Sequence, residues 1–124
     1  MTMLDTLPPA AGPYVQVAGA PPIPGLTFRN AMPADWTAIA DLVNRSRRAD
    51  GLDEVRSGDD LAAEYADSGI FELARDVLLA EIDGRLAGYA MGYRLMRDGA
   101  LVAETMGDVA PEVRRRRIGS ALYL

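Results

Sequence analysis

Between Val109 and Leu122 the sequence passes from an apolar strand end through Pro111 to four consecutive arginines, Arg114 to Arg117, and then to Ile118-Gly119-Ser120-Ala121-Leu122. Proline cannot donate to a sheet ladder, so Pro111 ends the strand. The segment reads as a strand end, a basic turn and the first turn of a helix. Amides at a helix start lack intrahelical acceptors and carry the positive end of the helix dipole, which suits them to phosphate. The arginine run adds long-range attraction for the same anion. The ligand implied is a polyanion.

Composition narrows the chemistry. At 124 residues the chain has room for one domain. It contains neither cysteine nor histidine. Disulfides, thiol nucleophiles, Ser-His and Cys-His catalysis and imidazole bases are thereby removed, and we expect no metal site. Proton transfer is left to a carboxylate, a tyrosine, an arginine-tuned group or water. The formal net charge is −5, and all thirteen basic residues are arginine. A net acidic body argues against nucleic acid as a partner and isolates the basic site at 114–117. No apolar run is long enough to cross a bilayer, and the N-terminus lacks a basic region followed by an apolar core. We therefore expect a soluble, cytoplasmic protein without a membrane partner.

Residues 1–24 are rich in proline, alanine and glycine, including Pro8-Pro9 and Pro21-Pro22-Ile23-Pro24. They read as a flexible extended arm, with Tyr14-Val15-Gln16-Val17 its one strand-like stretch. The domain is expected over 25–124. Leu26-Thr27-Phe28-Arg29 alternates as a half-buried strand. Pro33 opens a helix with Asp35 in its first turn and Trp36, Ile39, Ala40 and Val43 on one apolar stripe; it fades by Asp50-Gly51. Trp36 is read as a core anchor. Ser57-Gly58-Asp59-Asp60 is a capping box for a second helix, whose stripe is Leu61, Ala62 and Tyr65 and which Gly69 ends. Val77 to Ile82 is apolar enough for a central strand. Asp83-Gly84 and Asp98-Gly99 are hairpin turns setting off return strands over 86–96 and 101–109. The order β-α-α-β-β-β-α, an antiparallel meander bounded by helices, is an α+β pattern.

A meander ending in Val-x-Pro-Glu-x-Arg-x-Arg-x-Ile-Gly-x-Ala-Leu resembles the GCN5-related N-acetyltransferase (GNAT) family over Leu26 to Leu124, at the segment that binds acetyl-CoA. The resemblance implies an acyl-CoA N-acyltransferase fold of this type, truncated after the start of the signature helix and lacking its C-terminal strands and later helix. It implies acetyl-CoA as cosubstrate and a small-molecule or peptide amine as acceptor. The amine attacks the thioester directly, which agrees with a chain lacking Cys and His. The outer edge of strand 101–109 is then left open, inviting a homodimer or pairing with a second GNAT domain. The polar stretch Arg45 to Asp60 hints at a charged acceptor side.

The family signature is Gln or Arg, two variable residues, Gly, one variable residue, then Gly or Ala. Anchored on Pro111 and Ile118-Gly119, it begins at Arg114 and ends at Gly119, and the first glycine falls on Arg117, a departure. A shifted register from Arg116 to Ala121 fits as well but displaces Ile118 and Leu122 from buried positions. Glycine there lets the backbone approach a pyrophosphate without a Cβ in the way. Arg117 either crowds the phosphate or swings out and pairs with it. Cofactor-binding candidates are Val109, for backbone contacts to the pantetheine arm, and Arg114, Arg115, Arg116, Arg117, Ile118, Gly119, Ser120 and Ala121. Glu104 is the candidate catalytic base, set against a plain solvated strand residue; Glu81, Thr105 and Asp108 rank below it. Two competing readings are a non-catalytic acyl-CoA-binding or dimerisation module and a contact made by Arg114 to Arg117 with nucleic acid or an acidic partner.

Overall fold

A computed structural model describes residues 14–52, 55–66 and 72–122. Five strands form one antiparallel sheet in chain order: β1 (Tyr14–Val15), β2 (Leu26–Asn30), β3 (Val77–Ile82), β4 (Arg85–Arg97) and β5 (Ala100–Val109). Helices α1 (Trp36–Ala49), α2 (Gly58–Ala66) and α3 (Leu73–Asp76) lie between β2 and β3, and α4 (Ile118–Leu122) follows β5. The expected meander is present with two additions, β1 and the one-turn helix α3. Tyr14 and Val15 pair with Arg29 and Phe28, while Val17 and Ile23 pack against the core. The strand-like stretch at 14–17 thus meets the edge of the sheet. The free edge of β2 supplies backbone partners, and the Phe28 cluster takes up their apolar side chains. Residues 1–13 and the expected helix end at Gly69 lie outside the described residues.

Local chemistry explains the turns. Asp83 and Gly84 have φ 51° and 81°, and Asp98 and Gly99 have φ 52° and 80°, the left-handed pair that a tight two-residue hairpin requires. Ser57 and Asp60 cap α2 reciprocally, each backbone N–H donating to the other's side chain at 3.0 Å. At Gly58 an added Cβ would lie 2.9 Å from the Thr37 backbone, so glycine lets α2 start against α1. Trp36 is half-buried, stacked on Tyr65 with ring centroids 5.8 Å apart.

The sheet separates two apolar clusters. On one face α1 and α2 bring Ile39, Leu42, Val43 and Leu61 onto Leu79, Tyr89 and Met91. On the other, Ile118, Ala121 and Leu122 of α4 pack on Phe28, Ala80 and Ala87. β4 cannot alternate strictly between them. Ala80 pairs with Gly88 and Glu81 with Leu86, leaving Ala87 as a bulged extra residue. Ala87 and Gly88 consequently both serve the α4 face. A Cβ on Gly88 would come within 3.2 Å of Leu122 Cδ1 and of the Asp108 carbonyl oxygen, so a side chain there would have to push its neighbours back by a few tenths of an ångström. The Ala87 carbonyl accepts the Ala110 N–H at 2.7 Å, fixing the point where β5 gives way to the arginine turn.

One ionic cluster lies in this framework. The Arg29 guanidinium donates to both Asp35 carboxylate oxygens, at 2.8 and 2.7 Å, and its Nε donates to Glu81 Oε1 at 2.8 Å. All three side chains are nearly buried. The Met32 N–H also donates to Asp35. Burial pushes the Asp35 carboxyl up, but the hydrogen bonds from Arg29 and Met32 and the guanidinium charge together hold it below the ordinary carboxylate value. Arg29 stays charged, its pKa raised chiefly by the Asp35 hydrogen bond against the cost of burial.

Candidate functional site

After β5 the chain makes a single 3₁₀ turn at Pro111–Val113 and then turns through the arginines into α4. Arg114 is extended, with φ −63° and ψ 156°. Arg115 and Arg117 are left-handed, with φ 65° and 69°. A side chain in that region costs about 1 kcal/mol or more, so two such residues within three positions mark a strained turn. Arg117 is the position on which the first signature glycine falls in the register anchored at Pro111. Ile118 and Leu122 are buried, at 1% and 7% exposure.

The turn encloses a hollow of about 310 Å³ lined by Val109, Val113, Arg114, Arg115, Arg117, Ile118, Gly119 and Ser120. Seven of the nine residues proposed from sequence for the cofactor therefore meet in one concavity. Arg116 is exposed and does not line the hollow, and Ala121 lies on the buried face of α4 with its N–H donated to the Arg117 carbonyl at 3.1 Å. Among the described residues, the amides from Arg114 to Ser120 donate to no backbone carbonyl. A Cβ on Gly119 would meet Val109 Cγ2 at 3.6 Å, an ordinary contact. Alanine fits there, in keeping with a signature that ends in Gly or Ala.

The Arg114 side chain is engaged with the protein itself. Nη1 donates to Asp50 Oδ1 at 3.0 Å, Nη2 to Ser46 Oγ at 2.8 Å and to the Ser46 carbonyl at 3.3 Å, and Nε to the Val109 carbonyl at 3.4 Å. Ser46 Oγ in turn donates to Asp108 Oδ1 at 2.9 Å, and the Tyr89 hydroxyl donates to Asp108 Oδ2 at 3.1 Å. Ser46 and Tyr89 carry no signal in the sequence, since a buried helical serine and a strand tyrosine look like core. Asp108 ranked low because strand facing is not readable from one chain.

Glu104 lies on β5 opposite Tyr93 and accepts a 2.7 Å hydrogen bond from Arg97 across the hairpin. Side chains alternate along a strand, so Glu104 shares a face with Met106 and Asp108. That face is turned to α1 and α2: the Tyr65 hydroxyl donates to Met106 Sδ at 3.0 Å, and Ser46 reaches Asp108. Val109 faces the α4 side. The structure therefore places Glu104 and Val109 on opposite faces of β5. What they share is its outer edge, since β5 is the last strand of the sheet. Burial, helped by Glu64 and opposed by Arg56, pushes the Tyr65 hydroxyl above its ordinary value, so it stays protonated at neutral pH. Sequence reasoning had placed Tyr65 only in a buried stripe. Among the described residues no group of three or more acidic side chains could hold a metal ion, and no helix is long and apolar enough to cross a membrane.

The family model of the GNAT acetyltransferases matches residues 36–124, more than half of the chain. The chain belongs to the GNAT acetyltransferase family. Solved structures agree with that fold. A GCN5-related N-acetyltransferase from Sphaerobacter thermophilus superposes with a TM-score of 0.66 at 26% identity, over 79% of this chain and 30% of its own. The protein yncA from Salmonella typhimurium, solved with its cofactor acetyl-CoA, gives 0.62 at 25% identity, over 80% of this chain and 59% of its own. Diaminobutyrate acetyltransferase EctA from Paenibacillus lautus, in complex with L-2,4-diaminobutyric acid and coenzyme A, gives 0.54 at 22% identity, over 79% and 54%. The chain thus spans between about a third and three-fifths of the length of these GNAT structures. A search of curated protein sequences gives no significant match.

Proposed function

We propose that this chain is an N-acetyltransferase, or the cofactor-binding portion of one, that moves an acetyl group from acetyl-CoA to a small-molecule or peptide amine. In this reading the pyrophosphate sits in the hollow at 109–120, on the open amides that follow Arg114, with Arg115 and Arg117 supplying charge. The pantetheine arm runs along the outer edge of β5 from Val109 toward Glu104. The acceptor nitrogen attacks the thioester carbonyl, the carbon–sulfur bond breaks, and CoA leaves as its thiol or thiolate. Glu104, directly or through water, takes the ammonium proton; full turnover in Glu104→Gln would remove it from that role. The small-molecule acceptor class is suggested by the diaminobutyrate complex among the structural neighbours.

The observation that carries the proposal is the concavity built by the signature residues around unpaired amides. Titration of the ¹⁵N-labelled chain with CoA tests it. The amides of residues 114–120 are expected to shift first and most; CoA binding that leaves them unmoved would sink the assignment. A second reading, a non-catalytic acyl-CoA-binding module, is favoured by Arg97's hold on Glu104 and by arginine in place of the first signature glycine. Turnover with a panel of amines separates the two.

Arg117→Gly is informative for both. Glycine adopts φ 69° freely, whereas its greater chain entropy when unfolded offsets part of that gain. The expected net stabilisation is roughly 0.5–1 kcal/mol in chemical denaturation. Tighter CoA binding by calorimetry is expected as well, because the missing Cβ opens the approach to the phosphate; no gain in affinity would remove the crowding argument.

A further inference from the structure

We infer that Ser46, Asp108 and Tyr89 are positioning residues that set the shape of the arginine turn by fixing the side chain of Arg114. The inference rests on the reading of that turn as the CoA phosphate dock. None of the three lines the hollow, and each acts through the next.

The order of donors and acceptors is dictated by chemistry. An ionised carboxylate only accepts and a guanidinium only donates. Ser46 therefore has one arrangement, giving its hydroxyl proton to Asp108 and accepting from Arg114 Nη2. The Tyr89 hydroxyl occupies the second Asp108 oxygen, so the carboxylate has no freedom to turn away. Ser46 and Tyr89 are buried, at 2% and 4% exposure, where an unsatisfied hydroxyl is costly. The negative charge of Asp108 is relayed in this way to a guanidinium that also donates to the Ser46 carbonyl in the last turn of α1, where the helix dipole favours a cation. Arg114 is the first residue of the turn. With its fork tied to α1, to Asp50 and to the Val109 carbonyl, the strained backbone at Arg115 and Arg117 is held from its N-terminal side, while buried Ile118 holds it from the other.

The network joins the end of β5, the neighbouring β4 and the last turn of α1 to the turn. Loss of Ser46 is expected to release the turn without touching the ligand. The test uses the whole chain in two variants, Ser46→Ala, which removes the relay, and Arg114→Lys, which keeps the charge but not the fork. Three quantities are measured: calorimetric affinity for CoA, backbone ¹⁵N relaxation of the free chain residue by residue, and global stability in denaturant. Both variants are expected to bind CoA about 5- to 10-fold more weakly, the equivalent of one hydrogen bond. Order parameters at residues 115–120 are expected to fall in the free protein while those of β2 and β3 stay as they are. Unchanged order parameters at 115–120 in both variants, with only global stability lowered, overturn the inference and leave the network a plain structural contact. If the unmodified chain shows no CoA binding, the dock reading fails by itself; relaxation in the free protein still decides whether the network shapes the turn.

Discussion

Arg29→Ala is expected to destabilise the fold by about 3–5 kcal/mol, because it strands two carboxylates in a nearly dry site. Arg29 is 9% exposed and spans β2, the turn into α1 and β3 through Asp35 and Glu81. Deleting it leaves Asp35 and Glu81 to repel one another where water reaches them poorly. The measurement is urea or guanidinium unfolding at pH 7, with Arg29→Met carrying Asp35→Asn and Glu81→Gln as the neutral control. A loss below about 1 kcal/mol would show that solvent compensates the pair and that the cluster is a surface feature. The pH dependence follows with a definite sign. Asp35 titrates below its ordinary value of 3.8 in the native state, so the unfolded chain binds its proton first as acid is added. Its contribution to stability is fully present above about pH 4–5 and is lost as the pH falls through the depressed native value. Asp35→Asn is expected to flatten that acid limb.

Ile118→Ala is expected to cost about 2–5 kcal/mol, at the scale of other large-to-small changes in a closed core. Ile118 is 1% exposed and stands where α4 meets the α4-side cluster of Phe28, Ala80 and Ala87. Helix α4 as described has only five residues, too few to persist without packing, so its seat on the sheet is what makes it a helix. The same side chain closes the hollow at the arginine turn. Denaturation and CoA calorimetry on one preparation are therefore expected to report a joint loss of stability and affinity. Stability lost with affinity intact would mean that the turn keeps its shape without α4.

Much of this was legible in the sequence because the signals were local. Asp-Gly at 83–84 and 98–99 dictates a left-handed pair, Ser57 with Asp60 forms a reciprocal cap, and Trp36 to Val43 repeats at helical spacing. Each depends on a few neighbouring residues and would look the same in any fold. The signature segment was legible for the same reason, and with it the family. The bulge at Ala87 was legible only in part, since Gly88 and Gly92 mark either a bulge or relief of packing and do not say which face each neighbour takes. Tyr14-Val15 read as strand-like, but its partner did not, because prolines on either side read as linker and the pairing lay with an open strand edge more than ten residues away.

By itself the sequence determined the order of elements, the turn chemistry, the exclusion of thiol and imidazole catalysis and the site where four arginines meet a helix start. The tertiary structure decided what those arginines do. It turned the guanidinium of Arg114 inward onto Ser46 and left the backbone beyond it open around a hollow. Residues 46, 89 and 108 became neighbours only when α1, β4 and β5 were packed. Charge and propensity act along the chain, but which groups satisfy one another in a buried space is settled by packing.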